Sequence, residues 1–236
     1  MRTEGLAGAP FGPGRSLLEL CGAGFWRELI QRWTVRRKLK GEALFHQGGP
    51  SDGVMVCVDG VIRLERWRGG ADDGRSAATL AFRSRGDLFG ETGVLSGAPR
   101  SASAWAHTDC HVAVASPELF REFFRKHRRE WTMLQYALER DRGTELVQGF
   151  GDPAVRLAAL LVPFVRSQYR PAIGTAASVL DIPVTRQRIA EGLRLGRTET
   201  ERLLAHFPYG EVLRHRNGRI RVRPAEMLWF ADQLGI

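Results

Sequence analysis

The sequence predicts an α+β chain made of a β-rich N-terminal half, a long helix, and a small helical lobe that ends in a hairpin. Three observations carry this. Between residues 34 and 115, short β-type runs at 54–58, 61–67, 77–82 and 111–115 alternate with Gly- and Asp-containing turns. From Ser116 the apolar residues Phe120, Phe124, Trp131, Leu134 and Leu138 recur at helical steps of three, four or seven. Beyond Pro153 come further short helical patterns and, at Asn217-Gly218, a strong hairpin-turn signal.

The elements follow in order. Residues 1–24 hold Gly5, Gly8, Gly12, Gly14, Gly22 and Gly24 with Pro10 and Pro13, which reads as a flexible tail, and 25–33 as one short helix. Residues 25–115 then form a β sandwich or roll, in which Asp59-Gly60 suits a tight hairpin turn and residues 69–74 a longer loop. Residues 116–150 read as one helix, opened by Ser116 as N-cap and Pro117 in its first turn. A helix of about thirty residues measures on the order of 45 Å, longer than a compact roll can cover. Part of its apolar stripe is therefore expected to pack against a second copy, giving a homodimer, because Asp141, Gly143 and Glu145 interrupt the pattern. Residues 149–153, with Asp152 as N-cap, break the helix and mark the boundary of a last domain, 151–236. There an amphipathic helix at 154–168, a strand near 179–182, two short helices and the hairpin are expected.

Composition excludes several classes. The chain of 236 residues is 43% hydrophobic and 26% charged, so neither disorder nor a disulfide-stapled miniature fold applies. Cys21, Cys57 and Cys110 are odd in number and lack metal or cluster spacing, which leaves buried or free thiols as the reading and a redox sensor as its alternative. The longest apolar run, residues 157–165, contains Pro163 and falls far short of the roughly 20 residues that cross a bilayer. With no signal-peptide pattern in residues 1–13, a cytoplasmic location without membrane partners is expected. His46, His107, His111, His127, His206 and His215 show no ligand spacing, and no Ser/His/Asp or paired-carboxylate motif stands out, so neither a metal site nor an enzyme is expected.

The charge is localised. Of a net +9, residues 185–223 carry +6, from ten Arg and four Glu. Such a segment suits a polyanion, because each Arg beside a phosphate releases condensed counterions.

Two constellations carry chemistry. In residues 86–104, glycine is too frequent for a strand and polarity too high for a core. Phe89-Gly90-Glu91 can open a helical turn whose free N–H groups face an anion, with Gly90 letting the backbone approach. Arg100 supplies a guanidinium fork and Ser101 a hydroxyl, whereas Glu91 suits a ligand hydroxyl such as a ribose 2′-OH. These residues resemble the phosphate-binding cassette of cyclic-nucleotide-binding domains, a double-stranded β-helix or jelly roll. The resemblance implies that Gly90, Glu91, Arg100 and Ser101 bind a cyclic nucleotide, cyclic AMP first, with cyclic GMP or no nucleotide as alternatives. Thr92 departs from the usual aliphatic residue. In bacterial members the long helix presents Ser or Thr to the base; here Asp141 and Arg142 stand there with Thr144 nearby, so Arg142 and Thr144 are the expected base contacts and the base itself stays open.

In residues 184–204 the apolar or small residues Ile189, Ala190, Leu193, Leu195, Thr200 and Leu203 bury the inner faces of two short helices across a tight turn, with Ala190 at their closest approach and Leu193, Leu195 and Leu203 as shared core. Arg197, Thr198, Glu201 and Arg202 are left facing outward, where Arg can pair with guanine O6 and N7. On the hairpin, Arg219, Arg221 and Arg223 alternate onto one strand face, an arrangement expensive in self-repulsion unless an anion is near. The region resembles the winged helix-turn-helix of the cyclic-AMP receptor protein and fumarate–nitrate regulator (CRP/FNR) family. The likeness implies a homodimeric transcription regulator under allosteric control, with duplex DNA and RNA polymerase as partners. It assigns base reading to Arg197 and Arg202 and backbone contacts to Thr185, Arg186 and Gln187; Thr198 and Glu201 on the same exposed face, and Arg219 and Arg221 on the hairpin, are further expected DNA contacts. Thr198 replaces the usual acidic reader and Arg194 the usual turn glycine. The alternatives are a regulator that is ligand-independent or answers another effector, and a nucleotide sensor that docks an acidic protein.

Overall fold

A computed structural model describes residues 15–67, 77–149, 151–169, 179–207, 213–216 and 219–233. Residues 1–14 of the expected tail, the 69–74 loop and the Asn217-Gly218 turn lie outside the described residues. The chain divides into two compact units, the first spanning Arg15–Leu138 and the second taking up from Glu139.

The first unit runs α1 (Leu17–Arg32), β1 (Thr34–Lys38), β2 (Ala43–Phe45), β3 (Val54–Asp59), β4 (Val61–Trp67), β5 (Ala77–Ser84), β6 (Leu88–Phe89), α2 (Glu91–Ser96), β7 (Ser103–Ala106), β8 (Cys110–Ala115), α3 (Pro117–Lys126) and α4 (Glu130–Gln148), the last crossing into the second unit. Two four-stranded antiparallel sheets, ordered β1-β8-β3-β6 and β2-β7-β4-β5, form the expected roll. Alternation along β3 explains how its sheet is covered on both faces. Val54 and Val56 join Ala113, Ala115 and Leu88 under the helices, while Cys57 meets Ile62, Phe89, Val112 and Ala104 on the other face.

The N-terminal expectation needs correction at residues 17–24, which belong to a helix capped by Ser16 rather than to a tail. Ser16 and Glu19 form a reciprocal capping box, Ser16 Oγ accepting from Glu19 N–H and Glu19 Oε2 from Ser16 N–H. Leu17, Cys21, Phe25 and Leu29, four residues apart, are buried against α3 and the sheet. The glycines do not prevent this, because Gly22 takes φ 82 and absorbs a kink inside α1.

The single helix expected over 116–150 is also two. α3 ends in a Schellman closure: Arg129 N–H donates to Phe124 O and Arg128 N–H to Arg125 O, with Arg128 at φ 51 in the left-handed region. The apolar stripe divides with it. Phe120 and Phe124 are buried on α3, whereas Trp131, Leu134 and Leu138 on α4 are exposed, Trp131 by 82%. Tyr136 points inward, its hydroxyl accepting from Leu88 N–H and donating to Leu88 O. The two compact units divide inside α4, after Leu138.

The second unit continues with α5 (Pro153–Gln168), β9 (Leu180–Ile182), α6 (Arg186–Leu193), α7 (Arg197–Ala205), β10 (Leu213–Arg216), β11 (Arg219–Val222) and α8 (Pro224–Gln233). β10, β11 and β9 form an antiparallel sheet in that order. α5 is buried along most of its length, and Arg156 within it donates from Nε to Val147 O at 3.0 Å and from Nη2 to Leu193 O. Val147 near the end of α4 is thereby tied to the end of α6. The inter-helix core differs in detail from expectation: Ile189, Leu193, Thr200 and Leu204 are buried, while Ala190, Leu195 and Leu203 are only half-buried.

Candidate functional site

The loop joining β6 to β7 is built around Arg100. Gly90 precedes α2 at φ 80, and a Cβ there would lie 2.7 Å from Arg100 Nη1. The bare backbone admits the guanidinium, whose Nη1 donates to Gly90 O at 2.8 Å and Nη2 to Gly53 O at 2.7 Å. Nη2 also lies 3.3 Å from Asp52 Oδ1, and the guanidinium carbon 4.3 Å from the centre of the Phe45 ring. Arg100 Nε is buried with no hydrogen-bond partner among the described residues. Burial pulls the Arg100 pKa below its usual range, while the Asp52 and Glu91 carboxylates act in the opposite sense; the guanidinium stays cationic at neutral pH.

The surrounding backbone fixes this geometry. Gly48 N–H donates to Arg100 O and Arg100 N–H to Gly49 O, both at 2.9 Å. A Cβ on Gly93 would fall 2.0 Å from Ser51 Oγ, which itself donates to Ala98 O at 2.8 Å. Two residues after Arg100, Ala102 joins Leu80, Ala81 and Leu64 in a small apolar cluster. A buried cation at Arg100 and a buried carboxylate at Glu91 offer a charge for an anion and an acceptor for a hydroxyl.

Gly90 and Arg100 are in contact, and the next residue, Glu91, is buried near enough to act on the guanidinium. Ser101 is adjacent but exposed, its carbonyl accepting from Arg66 Nε at 3.1 Å. Thr144 belongs to the second unit, where its hydroxyl donates to Arg140 O at 2.9 Å, and the Arg142 side chain lies outside the described residues. Asp52, Gly53 and Phe45 were not foreseen, since Ser51-Asp52-Gly53 reads as an ordinary polar turn.

In the second unit, Thr185 caps α6 by accepting from Arg188 N–H. α6 ends at Arg194, φ 53, with Leu195 N–H donating back to Ala190 O, so an arginine adopts the left-handed turn that glycine favours. Its Nη2 donates to Gln148 Oε1 at 2.7 Å. After this turn α7 buries Thr200 and Leu204 and exposes Arg197, Thr198, Glu201 and Arg202. Gln187 Nε2 donates to Glu191 at 2.9 Å, and Arg186 lies 3.6 Å from Glu201. On the hairpin, the self-repulsion expected among three arginines is relieved from within: Arg221 pairs with Asp181 at 2.8 Å and Arg223 with Glu226 at 3.8 Å. The Arg219 side chain lies outside the described residues.

Residues 35–127 match the family model of the cyclic nucleotide-binding domain. The chain has the fold of the CRP/FNR regulators, with that domain at its N-terminal side. FixK2 from Bradyrhizobium japonicum is 21% identical, covers 83% of this chain and 96% of its own, and superposes with a TM-score of 0.60. CLP, the c-di-GMP responsive global regulator of Xanthomonas campestris, is 18% identical over 84% of this chain and 98% of its own, with a TM-score of 0.56. A CRP-family transcriptional regulator from Thermus thermophilus is 20% identical over 85% of this chain and 97% of its own, at 0.54. No curated protein sequence is a significant match. Against the cyclic nucleotide-binding domain, the Arg100 loop occupies the matched segment, while α6 and α7 lie beyond it.

Proposed function

We propose that this chain is a homodimeric DNA-binding transcription regulator whose N-terminal roll binds a cyclic nucleotide, cyclic AMP in the first place, and acts in the cytoplasm. The observation that carries the reading is one chain holding both a buried Arg100–Glu91 pair in a glycine-bearing loop and two short helices, the second of which exposes Arg197, Thr198 and Arg202. The cradle supplies a charge for a cyclic phosphate and a carboxylate for a ribose hydroxyl; the exposed arginines match guanine edges and phosphates. Trp131, Leu134 and Leu138, spaced by three and four along α4, form the apolar face offered to a second copy. Nucleotide occupancy then biases a two-state equilibrium of the dimer and so DNA affinity, with RNA polymerase recruited downstream. The regulators it resembles in fold are not enzymes, and no catalytic chemistry is assigned.

A second reading, a regulator that needs no ligand, is favoured by one observation. Arg100 is already engaged by Asp52 and two carbonyl groups. Fluorescence anisotropy on a labelled random duplex at low ionic strength, with and without cyclic AMP or cyclic GMP, separates the readings. Nucleotide-dependent binding supports the first, nucleotide-blind binding the second, and no duplex binding under any condition defeats both.

A further inference from the structure

Glu201 stands one turn along α7 from Arg197 and reaches back to α6. Its Oε1 lies 3.3 Å from Arg197 Nε and 3.6 Å from Arg186 Nη1, so a single carboxylate joins the first residues of both helices. Between them is a cleft of about 400 Å³, lined by Arg186, Gln187, Ala190, Arg197, Thr200 and Glu201. The Arg197 side chain is 91% exposed. A guanidinium so exposed samples many rotamers, and a fixed acceptor at Nε restricts it before any partner arrives. With Nε committed, Nη1 and Nη2 remain for the paired hydrogen bonds that a guanidinium makes to guanine O6 and N7. The same carboxylate places a negative charge beside two cations and opposes a phosphate backbone.

We propose that Glu201 is a positioning residue for base specificity. It holds Arg197 ready for one guanine and restrains the sequence-independent attraction of Arg186 and Arg197 for phosphate. This rests on the DNA-binding reading above and adds a division of labour within it: one acidic side chain exchanges non-specific affinity for discrimination.

The test uses the full chain and its E201A and E201Q variants. Each is selected against a random duplex pool, then titrated by anisotropy on the wild-type-selected duplex and on a scrambled one from 50 to 200 mM salt. E201A is expected to lose about tenfold in preference at one guanine position, while it binds the scrambled duplex several-fold tighter, with a salt slope steeper by about one. E201Q keeps an acceptor for Arg197 and loses only the charge, so it retains most of the guanine preference but shows the steeper slope. In an R197A background, E201A produces no further loss at that guanine, because the pair acts as a unit. A purely structural role would weaken both duplexes together and leave the slope unchanged. That result, or an unaltered guanine preference in E201A, overturns the inference. A wild-type chain that binds duplex but enriches no guanine overturns it as well and leaves the DNA-binding reading standing. A wild-type chain that ignores duplexes removes the reading itself.

Discussion

Replacing Asp52 by Asn tests whether the cradle is held closed by its own chain. Asp52 Oδ1 lies 3.3 Å from Arg100 Nη2. At that distance two unit charges attract by about 5 kcal/mol in an effective dielectric of about 20. The Asp52 carboxylate is 78% exposed, however, while the Arg100 side chain is 2% exposed, so water screens one partner strongly. Exposed pairs contribute about 0.2–1 kcal/mol, and the upper end applies because the arginine is buried. A ligand phosphate entering the cradle must take the guanidinium from Asp52. D52N removes that competition and leaves Gly53 O and Gly90 O in place to hold the arginine. Cyclic AMP should therefore bind D52N up to about fivefold tighter than wild type, the equivalent of about 1 kcal/mol. Isothermal calorimetry at about 0.15 M salt measures it, and the gap should narrow as salt rises. Equal or weaker binding by D52N would refute the competition argument. If neither protein binds a nucleotide, Asp52 is simply the counter-ion of Arg100, and the ligand-independent reading gains.

The remaining predictions concern assembly, packing and pH. Trp131→Glu places a charge on the exposed face of α4 without touching the core; sedimentation should show a monomer where wild type is a dimer, and an unchanged mass would remove this face from the interface. Arg156→Met leaves Val147 O and Leu193 O without their buried donor. Each orphaned group costs about 1–3 kcal/mol, so urea unfolding should show a loss of about 3 kcal/mol, and a loss under about 1 kcal/mol would contradict the clasp. Burial first, then the carboxylates of Asp59 and Asp109, push the Cys110 thiol from 9.0 up to about 12. Between those values the unfolded chain has lost a proton that the folded chain keeps, so stability falls as pH rises, by about 1.4 kcal/mol per pH unit for this thiol. Urea midpoints at pH 8, 9 and 10 should decline in wild type and decline less in Cys110→Ala.

The roll was legible because its strands alternate, and Val54, Met55, Val56 and Cys57 divide between two faces as a period of two requires. α1 was equally legible in principle. Ser16 and Glu19 have capping-box spacing, and Leu17, Cys21, Phe25 and Leu29 repeat every four residues. Six glycines in residues 1–24 suggest a tail, yet Gly22 and Gly24 lie within α1, where Gly22 serves as a kink. The break between α3 and α4 was not legible. It depends on Arg128 in a left-handed conformation inside the run Lys126-His127-Arg128-Arg129, where sequence offers none of the glycine or asparagine that usually announces a Schellman closure. Arg194 repeats the case at the end of α6, where only the family pattern, and no local signal, marks the missing glycine.

The sites show a different limit. Residue type declared which positions carry charge, but not which opposite charge each would meet. Arg100 finds Asp52 across 48 positions and Arg221 finds Asp181 across 40, distances over which no periodicity operates. Arg221 and Arg223 therefore do not demand an external anion, because Asp181 and Glu226 already pair with them. The same holds in part on α7, where the single charge of Glu201 is shared between Arg197 and Arg186 and leaves the cluster at net +1. Of the ten arginines in residues 185–223, those bound to carboxylates reach a phosphate only by exchanging one anion for another. Such an exchange releases fewer counterions than a free arginine does. The number of arginines in the segment is thus an upper bound on its phosphate contacts, and the carboxylates threaded among them set how far below that bound the protein works.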